Sequence, residues 1–267
     1  MVVDRRLALV ALAVGAFGSG WGTHALLARA PEPVIDPQGR APGHDDSRPE
    51  RVAPQPSAQP SASASASMEA VFDDIYQRAT WGKNASDAGG SGYGSTLRAT
   101  LLYRTFLQQF MKDAEVRSVV DAGCGDWEFS QALDWTGIDY KGFDIVKSVI
   151  EGDKKSYAKP NIQFFAANVV ETDLPAADLL ISKHVLQHLP TAEVQKFLTK
   201  QLPKYKHVLL VSSVSPGTLS GKNQDIPTGG FRDLDVTRPP FSVRGAKVLT
   251  YWDGGNMQQI VYVARQP

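Results

Sequence analysis

From residue 116 onward, short apolar runs rich in β-branched residues alternate with stretches of helical spacing. The first five apolar runs cover residues 116–122, 140–145, 162–167, 179–183 and 207–214. The helical stretches cover residues 127–135, 146–157 and 192–201. This alternation predicts a parallel sheet with crossover helices. Only residues 169–177 separate the third run from the fourth, so that crossover should be short or irregular.

The chain ends in two further apolar runs, residues 247–252 and 258–263. Between them stands Asp253-Gly254-Gly255-Asn256, a sequence typical of a hairpin turn. The sequence therefore predicts an α/β fold. Its sheet should be doubly wound, Rossmann-like, seven-stranded and mostly parallel, with a C-terminal antiparallel hairpin.

Ahead of the sheet, residues 68–115 are predicted to form a helical cap. Helices are expected over residues 69–78 and 96–111, the second with Ser95 as its N-cap. The connector, residues 87–95, is rich in glycine and is either a flexible loop or a lid that folds over a bound ligand. Together with the sheet, this cap would make residues 68–267 one domain.

The first 67 residues have a different composition. Residues 7–28 are apolar and follow Arg5 and Arg6, so residues 1–30 are predicted to be a membrane anchor or a secretory signal. A helix packed on the domain is a weaker alternative. Residues 31–67 are rich in Pro, Ala and Ser, which predicts a disordered linker. We therefore expect attachment to a membrane by a single N-terminal helix, or export, with the side of the membrane left open.

Charge and cysteine content exclude some classes of protein. The chain has 28 basic and 28 acidic residues, so no overall positive field favours nucleic acid as a partner. Its single cysteine, Cys124, excludes an intrachain disulfide framework.

The sharpest motif is the run VVDAGCGD, residues 119–126, in which an apolar strand ends in Asp-x-Gly-x-Gly. Such glycines allow a tight turn and a close approach of the backbone to a ligand, and a helix is predicted to follow. Glu128 stands where a dinucleotide fingerprint has its third glycine, which disfavours NAD. Asp144 lies 19 residues beyond Gly125 (144 − 125), a spacing that suits a carboxylate binding ribose hydroxyls. The alternative is that Asp144 only caps the next helix.

Three successive segments, VVDAGCGDWEFS, YKGFDIV and IQFFAANVVETDLPAADLLISKHVLQHLP, resemble the motifs of class I S-adenosylmethionine-dependent methyltransferases. The resemblance implies S-adenosylmethionine as cofactor. No metal is expected, because no third ligand is apparent beside the pair His184 and His188. The residues that it places around the cofactor are Asp121, Gly123, Cys124, Gly125, Asp144, Ile145, Asn168, Val169 and Lys183. At Asn168 the family usually has an acidic residue near the adenine amino group; the amide oxygen could still accept that hydrogen bond.

The end of the fourth strand is where this family places catalytic or substrate-facing residues. His184 is the best candidate for a general base, and His188 is a second candidate catalytic residue. Many relatives have an acidic residue at the position of His184. Alternatively, these imidazoles are packed beneath the cofactor, or they bind a metal as an i, i+4 pair.

Candidate substrate-binding residues are Trp81, Arg104 and Arg232, the last within a loop after the fifth strand. Arg232 could equally pair with Asp233 or Asp235 in a structured connection. The sequence thus predicts a methyltransferase acting on an oxygen or nitrogen of a small molecule or peptide. A membrane-tethered, non-catalytic module that binds the cofactor or serves as a scaffold is the alternative, and a nicotinamide oxidoreductase is disfavoured.

Overall fold

A computed structural model describes residues 67–82, 90–221 and 223–265. The predicted anchor or signal segment, residues 1–30, and all of the predicted linker except Ser67 lie outside the described residues. Within these three ranges, no helix combines the length and the apolar character needed to cross a bilayer.

Seven strands form one sheet, as predicted. They are β1 (Ser118–Ala122), β2 (Asp139–Asp144), β3 (Ile162–Ala166), β4 (Leu179–Lys183), β5 (His207–Val214), β6 (Ala246–Trp252) and β7 (Met257–Ala264). Their order across the sheet is β3-β2-β1-β4-β5-β7-β6. Strands β1 to β5 pair in parallel, whereas β7 runs antiparallel to both β5 and β6. The predicted fold class, including its terminal hairpin, is confirmed.

The described helices flank this sheet. They are α1 (Met68–Gln77), α2 (Leu101–Asp113), α3 (Lys147–Tyr157), α4 (Thr191–Gln201) and α5 (Pro216–Ser220). Ser67 caps α1 by accepting a hydrogen bond from the backbone N–H of Ala70. The crossover between β3 and β4 contains no helix, because residues 167–178 leave too little chain for one.

The central strands β1, β4 and β5 are buried on both faces of the sheet. Consecutive side chains of a strand point to opposite faces, so each strand contributes to two apolar cores. One apolar core contains Val120, Leu180 and Leu210 with residues of α1 and α4. The opposite core contains Val119, Ile181 and Leu209 with residues of α2. The helices that cover the two faces leave the carboxyl edge of the parallel strands as the place where a ligand can enter.

The predicted helix over residues 127–135 is wrong. Only a short 3-10 turn, Ser130–Ala132, forms there, and Trp127 has a φ of +55°, which a right-handed helix cannot contain. Trp127 and Phe129 are both buried in the core on the α2 side. On a helix, Trp127 and Phe129 would be related by a rotation of about 200° and would point in nearly opposite directions. A helix could therefore not bury both side chains in the same core.

The second cap helix begins later than predicted. Its first residue is Leu101 instead of Thr96, and Ser95 belongs to a 3-10 turn, Tyr93–Ser95. The Ser95 hydroxyl donates to the carbonyl of Ser91, so Ser95 closes the preceding turn and does not cap α2.

Candidate cofactor and acceptor site

A cavity of about 270 Å³ lies at the carboxyl edge of the sheet. Twelve of the fourteen predicted site residues line it: Trp81, Asp121, Gly123, Cys124, Gly125, Asp144, Ile145, Asn168, Val169, Lys183, His184 and His188. Two groups of lining residues recur below. The glycine side is Asp121, Gly123, Gly125, Asp144 and Asn168. The hairpin side is Lys183, His184, Ser213, Asp253 and Gln258.

The glycine loop after β1 turns back along the sheet. Gly123 and Gly125 have φ values of +92° and +57°, conformations that favour glycine. A Cβ on Gly123 would lie 2.1 Å from Cγ2 of Val185. The backbone N–H groups of Gly123 and Cys124 both donate to the carbonyl of Phe143, at 2.8 and 3.0 Å, which ties the loop to β2. The two glycines are therefore required by the packing as well as by the turn.

Asp144 ties the glycine loop to the segment that leads into α3. Oδ1 accepts from the N–H of Val146 at 3.0 Å, next to the start of α3, and Oδ2 accepts from the N–H of Gly125 at 3.1 Å. Burial raises the pKa of this carboxyl, while these two hydrogen bonds lower it less. Because a carboxylate offers about four acceptor positions, both oxygens can still accept from a ligand hydroxyl.

Asn168 follows β3 and is fixed by its own turn. Its Oδ1 accepts from the N–H of Val170 at 2.9 Å. The carbonyl of the neighbouring Val169 accepts from Nε2 of the buried Gln201 at 2.8 Å, so α4 holds this segment in place. The structure brings Asn168, Val169 and Ile145 to the same cavity.

Asp121 and Lys183 are buried ionisable residues that line the cavity. Asp121 Oδ2 accepts from the Tyr140 hydroxyl at 2.8 Å, and burial raises the pKa of Asp121 to about 7. Burial lowers the pKa of Lys183 to about 7, although the nearby carboxylates of Asp253 and Asp121 oppose this shift. Lys183 Nζ donates to the carbonyl of Gly94 at 2.7 Å. Burial also raises the pKa of the Cys124 thiol, so the thiol is held as a packed, protonated group.

His184 is the most constrained residue on the hairpin side. It has a φ of +57°, in the left-handed region, and its N–H donates to the carbonyl of Val211 on β5 at 2.9 Å. Strained backbone outside glycine costs about 1–3 kcal/mol and is concentrated at functional sites. Nε2 lies 2.7 Å from Gln258 Oε1, and Nδ1 lies 3.2 Å from Lys183 Nζ. Burial and the Lys183 charge hold the pKa of His184 well below its usual range, so the ring is neutral near pH 7.

His188 lies on an aromatic wall of the same cavity. Its ring centroid is 4.8 Å from that of Trp81 and 5.9 Å from that of Phe231. Nδ1 lies 2.8 Å from the carbonyl of Gly230, and burial lowers the pKa of His188 to about 4. This environment matches the packed alternative that the sequence analysis raised for His188.

Residues 90–95 of the glycine-rich connector, here called the lid, line the cavity through Ser91, Gly92, Tyr93, Gly94 and Ser95. Ser91 Oγ lies 2.7 Å from the Tyr76 hydroxyl and accepts from the N–H of Asp126 at 3.1 Å. The Tyr93 hydroxyl donates to the carbonyl of Asp253 at 3.0 Å. The lid thus contacts both the glycine loop and the terminal hairpin.

The structure does not bring Arg104 or Arg232 to the cavity. The guanidinium of Arg104 donates to Thr100 Oγ1 and to the carbonyl of Leu97. Arg232 is buried, and its guanidinium donates to the carbonyls of Leu189 and Gln224. The proposed alternative of a structured connection describes Arg232 correctly, but its acidic neighbour is Asp225, at 3.7 Å, and not Asp233 or Asp235.

Sequence reasoning missed several residues that line the cavity. They are Met68, Phe72, Tyr76, Ser213, Phe231, Asp253, Asn256 and Gln258, among others. Asp253 and Asn256 were recognised only as turn residues, and Gln258 only as part of a strand. Within the described ranges, no group of three or more His, Cys, Asp or Glu side chains is placed to hold a metal ion.

Residues 120–201 match a protein-family model described as a methyltransferase domain. A comparison with curated proteins finds no sequence match. Among solved structures, the chain is similar to magnesium protoporphyrin IX methyltransferase from Synechocystis PCC 6803 with bound S-adenosylmethionine. The TM-score is 0.51 at 15% identity, over 77% of this chain and 100% of that one.

Two further structures are similar at a lower score. A putative O-methyltransferase from Nostoc punctiforme PCC 73102 has a TM-score of 0.48 and 15% identity, over 74% of this chain and 69% of that one. Human N-acetylserotonin methyltransferase in complex with S-adenosylmethionine has a TM-score of 0.44 and 16% identity, over 64% and 56% of the two chains. The family match and the fold are consistent with the class I S-adenosylmethionine-dependent methyltransferases, as the sequence motifs predicted.

Proposed function

We propose that this chain binds S-adenosylmethionine in the cavity and transfers its methyl group to an oxygen or nitrogen of a small molecule or peptide. The observation that carries the proposal is the convergence of the glycine loop, Asp144 and Asn168 on one cavity. The glycine loop follows β1, Asp144 is the last residue of β2, and Asn168 lies just after β3; these three strands are adjacent in the sheet.

The residues present fit this cofactor. The glycine loop offers a backbone that a ligand can approach closely, and Asp144 keeps acceptor positions for two ribose hydroxyls. Asn168, Val169 and Ile145 would surround the adenine. Glu128, where a third glycine would accommodate a pyrophosphate, continues to disfavour a dinucleotide.

When bound, the cofactor supplies an electrophilic methyl group: the acceptor's lone pair forms the new bond to carbon as the carbon–sulfur bond breaks and leaves its electron pair on sulfur. The protein's main contribution to such a displacement is to position the reactants. If the acceptor atom carries a proton, that proton must also be removed.

His184 is the residue we propose as the general base. It is neutral near pH 7, it lines the cavity, and its strained backbone is held by β5. An unprotonated imidazole nitrogen can accept the proton that the acceptor releases. His188 is not assigned this role, because its ring is packed between Trp81 and Phe231.

The direct test is methyl transfer by the full-length chain, measured with methyl-labelled S-adenosylmethionine and a panel of hydroxyl- and amine-bearing acceptors. His184→Ala should lower the rate constant of transfer on the order of 100-fold or more, the usual contribution of a general base. S-adenosylmethionine affinity should change little.

His188→Ala is the matched comparison, since it removes an imidazole from the same cavity without removing the proposed base. An equal loss of transfer in both variants would contradict the assignment of His184. Cofactor binding by the wild type with no transfer to any acceptor would favour the tethered, non-catalytic module.

We also propose that residues 1–30 attach the domain to a membrane, on the basis of their apolar run after Arg5 and Arg6. Fractionation of cells that express the full-length chain tests this. Recovery in the membrane fraction after alkaline extraction supports an integral anchor, and recovery in the supernatant contradicts it.

A further inference from the structure

We propose that Gln258 and Asp253 are positioning residues, which hold His184 with its proton on Nε2 and its lone pair on Nδ1. This inference rests on the proposed methyl transfer and deepens it, because it specifies how the base is prepared. It is built from the contacts of one buried amide and one turn carboxylate on the terminal hairpin.

The orientation of the Gln258 amide follows from two of its neighbours, Asp253 and His184. Gln258 is 1% exposed, and its Nε2 lies 2.9 Å from Asp253 Oδ2. A carboxylate only accepts hydrogen bonds, so the amide nitrogen must face Asp253 and the carbonyl oxygen must face His184. That oxygen, Oε1, lies 2.7 Å from His184 Nε2. Since a carbonyl also only accepts, Nε2 of His184 must carry the proton.

Asp253 is fixed by the backbone of its own turn. Its Oδ1 accepts from the N–H groups of Gly255 and Asn256, each at 2.7 Å. These two bonds do not depend on any ligand. The orientation of Asp253, and through it that of Gln258 and His184, is therefore set by the fold of the β6–β7 hairpin.

The other ring nitrogen agrees with this assignment. Nδ1 of His184 lies 3.2 Å from Lys183 Nζ, a group that can only donate when charged. Toward charged Lys183, Nδ1 accepts, which agrees with the proton on Nε2. Because burial lowers the pKa of Lys183 to about 7, the neutral amine can instead accept from an Nδ1–H when the tautomer changes. Nζ occupies the position next to Nδ1, so an acceptor that donates to Nδ1 must displace Lys183 from it.

In this arrangement the proposed base, His184, is oriented by Gln258, as a catalytic histidine is oriented by a hydrogen-bonding partner in a triad. With the proton on Nδ1 instead, the lone pair would point toward Gln258 and could not receive a proton from the acceptor. When His184 takes up a proton on Nδ1, its ring becomes positively charged. The Gln258 carbonyl oxygen at Nε2, and the Asp253 carboxylate behind it, stabilise that charge. An acceptor that uses this device carries a proton on its reacting atom, so hydroxyls and amines are favoured over carboxylates.

Asp253→Asn tests the inference with little change of shape. The new side chain keeps an oxygen for the two turn N–H groups and directs its NH₂ group toward Gln258. Two NH₂ groups cannot bond to each other, so the Gln258 amide should rotate and direct its own nitrogen at His184. The proton on His184 should then move from Nε2 to Nδ1.

The tautomer is read from two-bond nitrogen–proton correlation spectra of the full-length chain labelled with ¹⁵N-histidine. The chain has five histidines, and His184→Phe identifies the relevant signal by its loss. We expect a single Nε2–H form in the wild type and in Ser213→Ala, which removes the other neighbour of the Gln258 amide, Ser213 Oγ at 3.3 Å. Asp253→Asn should give the Nδ1–H form.

Gln258→Met serves as a second variant should Asp253→Asn fail to fold. It removes the acceptor at Nε2 while keeping the length of the side chain, so a mixture of tautomers is expected. An unchanged Nε2–H signal in folded Asp253→Asn or folded Gln258→Met overturns the inference. The spectra need neither cofactor nor acceptor, so a lack of methyl transfer would leave this result intact and would be recognised separately.

Discussion

The glycine side and the hairpin side of the cavity are built in different ways. On the glycine side, the bond that joins two motifs spans 19 residues, from the Gly125 N–H to Asp144. On the hairpin side, the bonds from His184 to Gln258, from Lys183 to Gly94 and from Tyr93 to Asp253 span 74, 89 and 160 residues. The glycine side is therefore built from short, local connections, whereas the hairpin side depends on the assembled sheet and lid.

The largest effect is expected from Gly123→Ala on the glycine side. A strained backbone conformation and an overpacked contact each cost about 1–3 kcal/mol, so the free energy of unfolding should fall by about 4 kcal/mol. Chemical denaturation measures this. Gly152→Ala is the matched control, because Gly152 lies in α3 with nothing within 4 Å of its added Cβ. That variant should be more stable by up to about 1 kcal/mol.

Asp144→Ala sharpens the comparison at the level of binding. Hydrogen bonds to a charged group contribute about 1.5–3 kcal/mol, so loss of the carboxylate should weaken S-adenosylmethionine binding on the order of 100-fold. Calorimetric titration of the folded variant measures the affinity. Asp139→Ala removes an exposed carboxylate from the opposite end of β2 and should leave the affinity unchanged. A similar loss in both variants would show that the cofactor does not contact Asp144.

His188 should make the stability of the domain depend on pH. Its folded pKa of about 4 lies below the ordinary value of 6.5, so the unfolded chain binds the proton first as the pH falls. Stability from this group is therefore present above pH 6.5 and is lost as the pH falls toward 4. His188→Phe should remove that part of the pH dependence, on the order of 3 kcal/mol. If the unfolding free energies of the wild type and of His188→Phe fall in parallel between pH 6.5 and pH 4, the lowered pKa of His188 is contradicted.

The smallest effect is expected at the contact between the lid and the hairpin. Tyr93→Phe removes the hydrogen bond to the Asp253 carbonyl, and a half-exposed neutral bond contributes about 1 kcal/mol or less. The dissociation rate of S-adenosylmethionine should rise about 3-fold, measured by stopped-flow displacement. Arg104→Lys is a control on the neighbouring helix α2, away from the cavity, and should leave the rate unchanged. An unchanged rate in Tyr93→Phe would mean that this bond does not hold the lid closed.

The same contrast explains what the sequence could predict. The strands, the terminal hairpin and the glycine-side residues follow from local patterns, because each residue stands next to a recognisable strand end.

The predicted helix over residues 127–135 failed because the demand to bury Trp127 and Phe129 in one core overrides the local helical pattern. Gln258 could not be recognised as a partner of His184, because only the order β4-β5-β7 brings them together. Arg232 was placed in the substrate site from its position after β5, but its guanidinium donates to the carbonyl of Gln224 in its own loop and to that of Leu189 before α4.

The central claim is that the cavity is a binding site for S-adenosylmethionine and not for a dinucleotide. Calorimetric titration of the full-length wild-type chain with S-adenosylmethionine, and separately with NAD, tests it most directly. We predict saturable binding of one S-adenosylmethionine per chain and no binding of NAD. Absence of S-adenosylmethionine binding, or a preference for NAD, would contradict the assignment of the cavity.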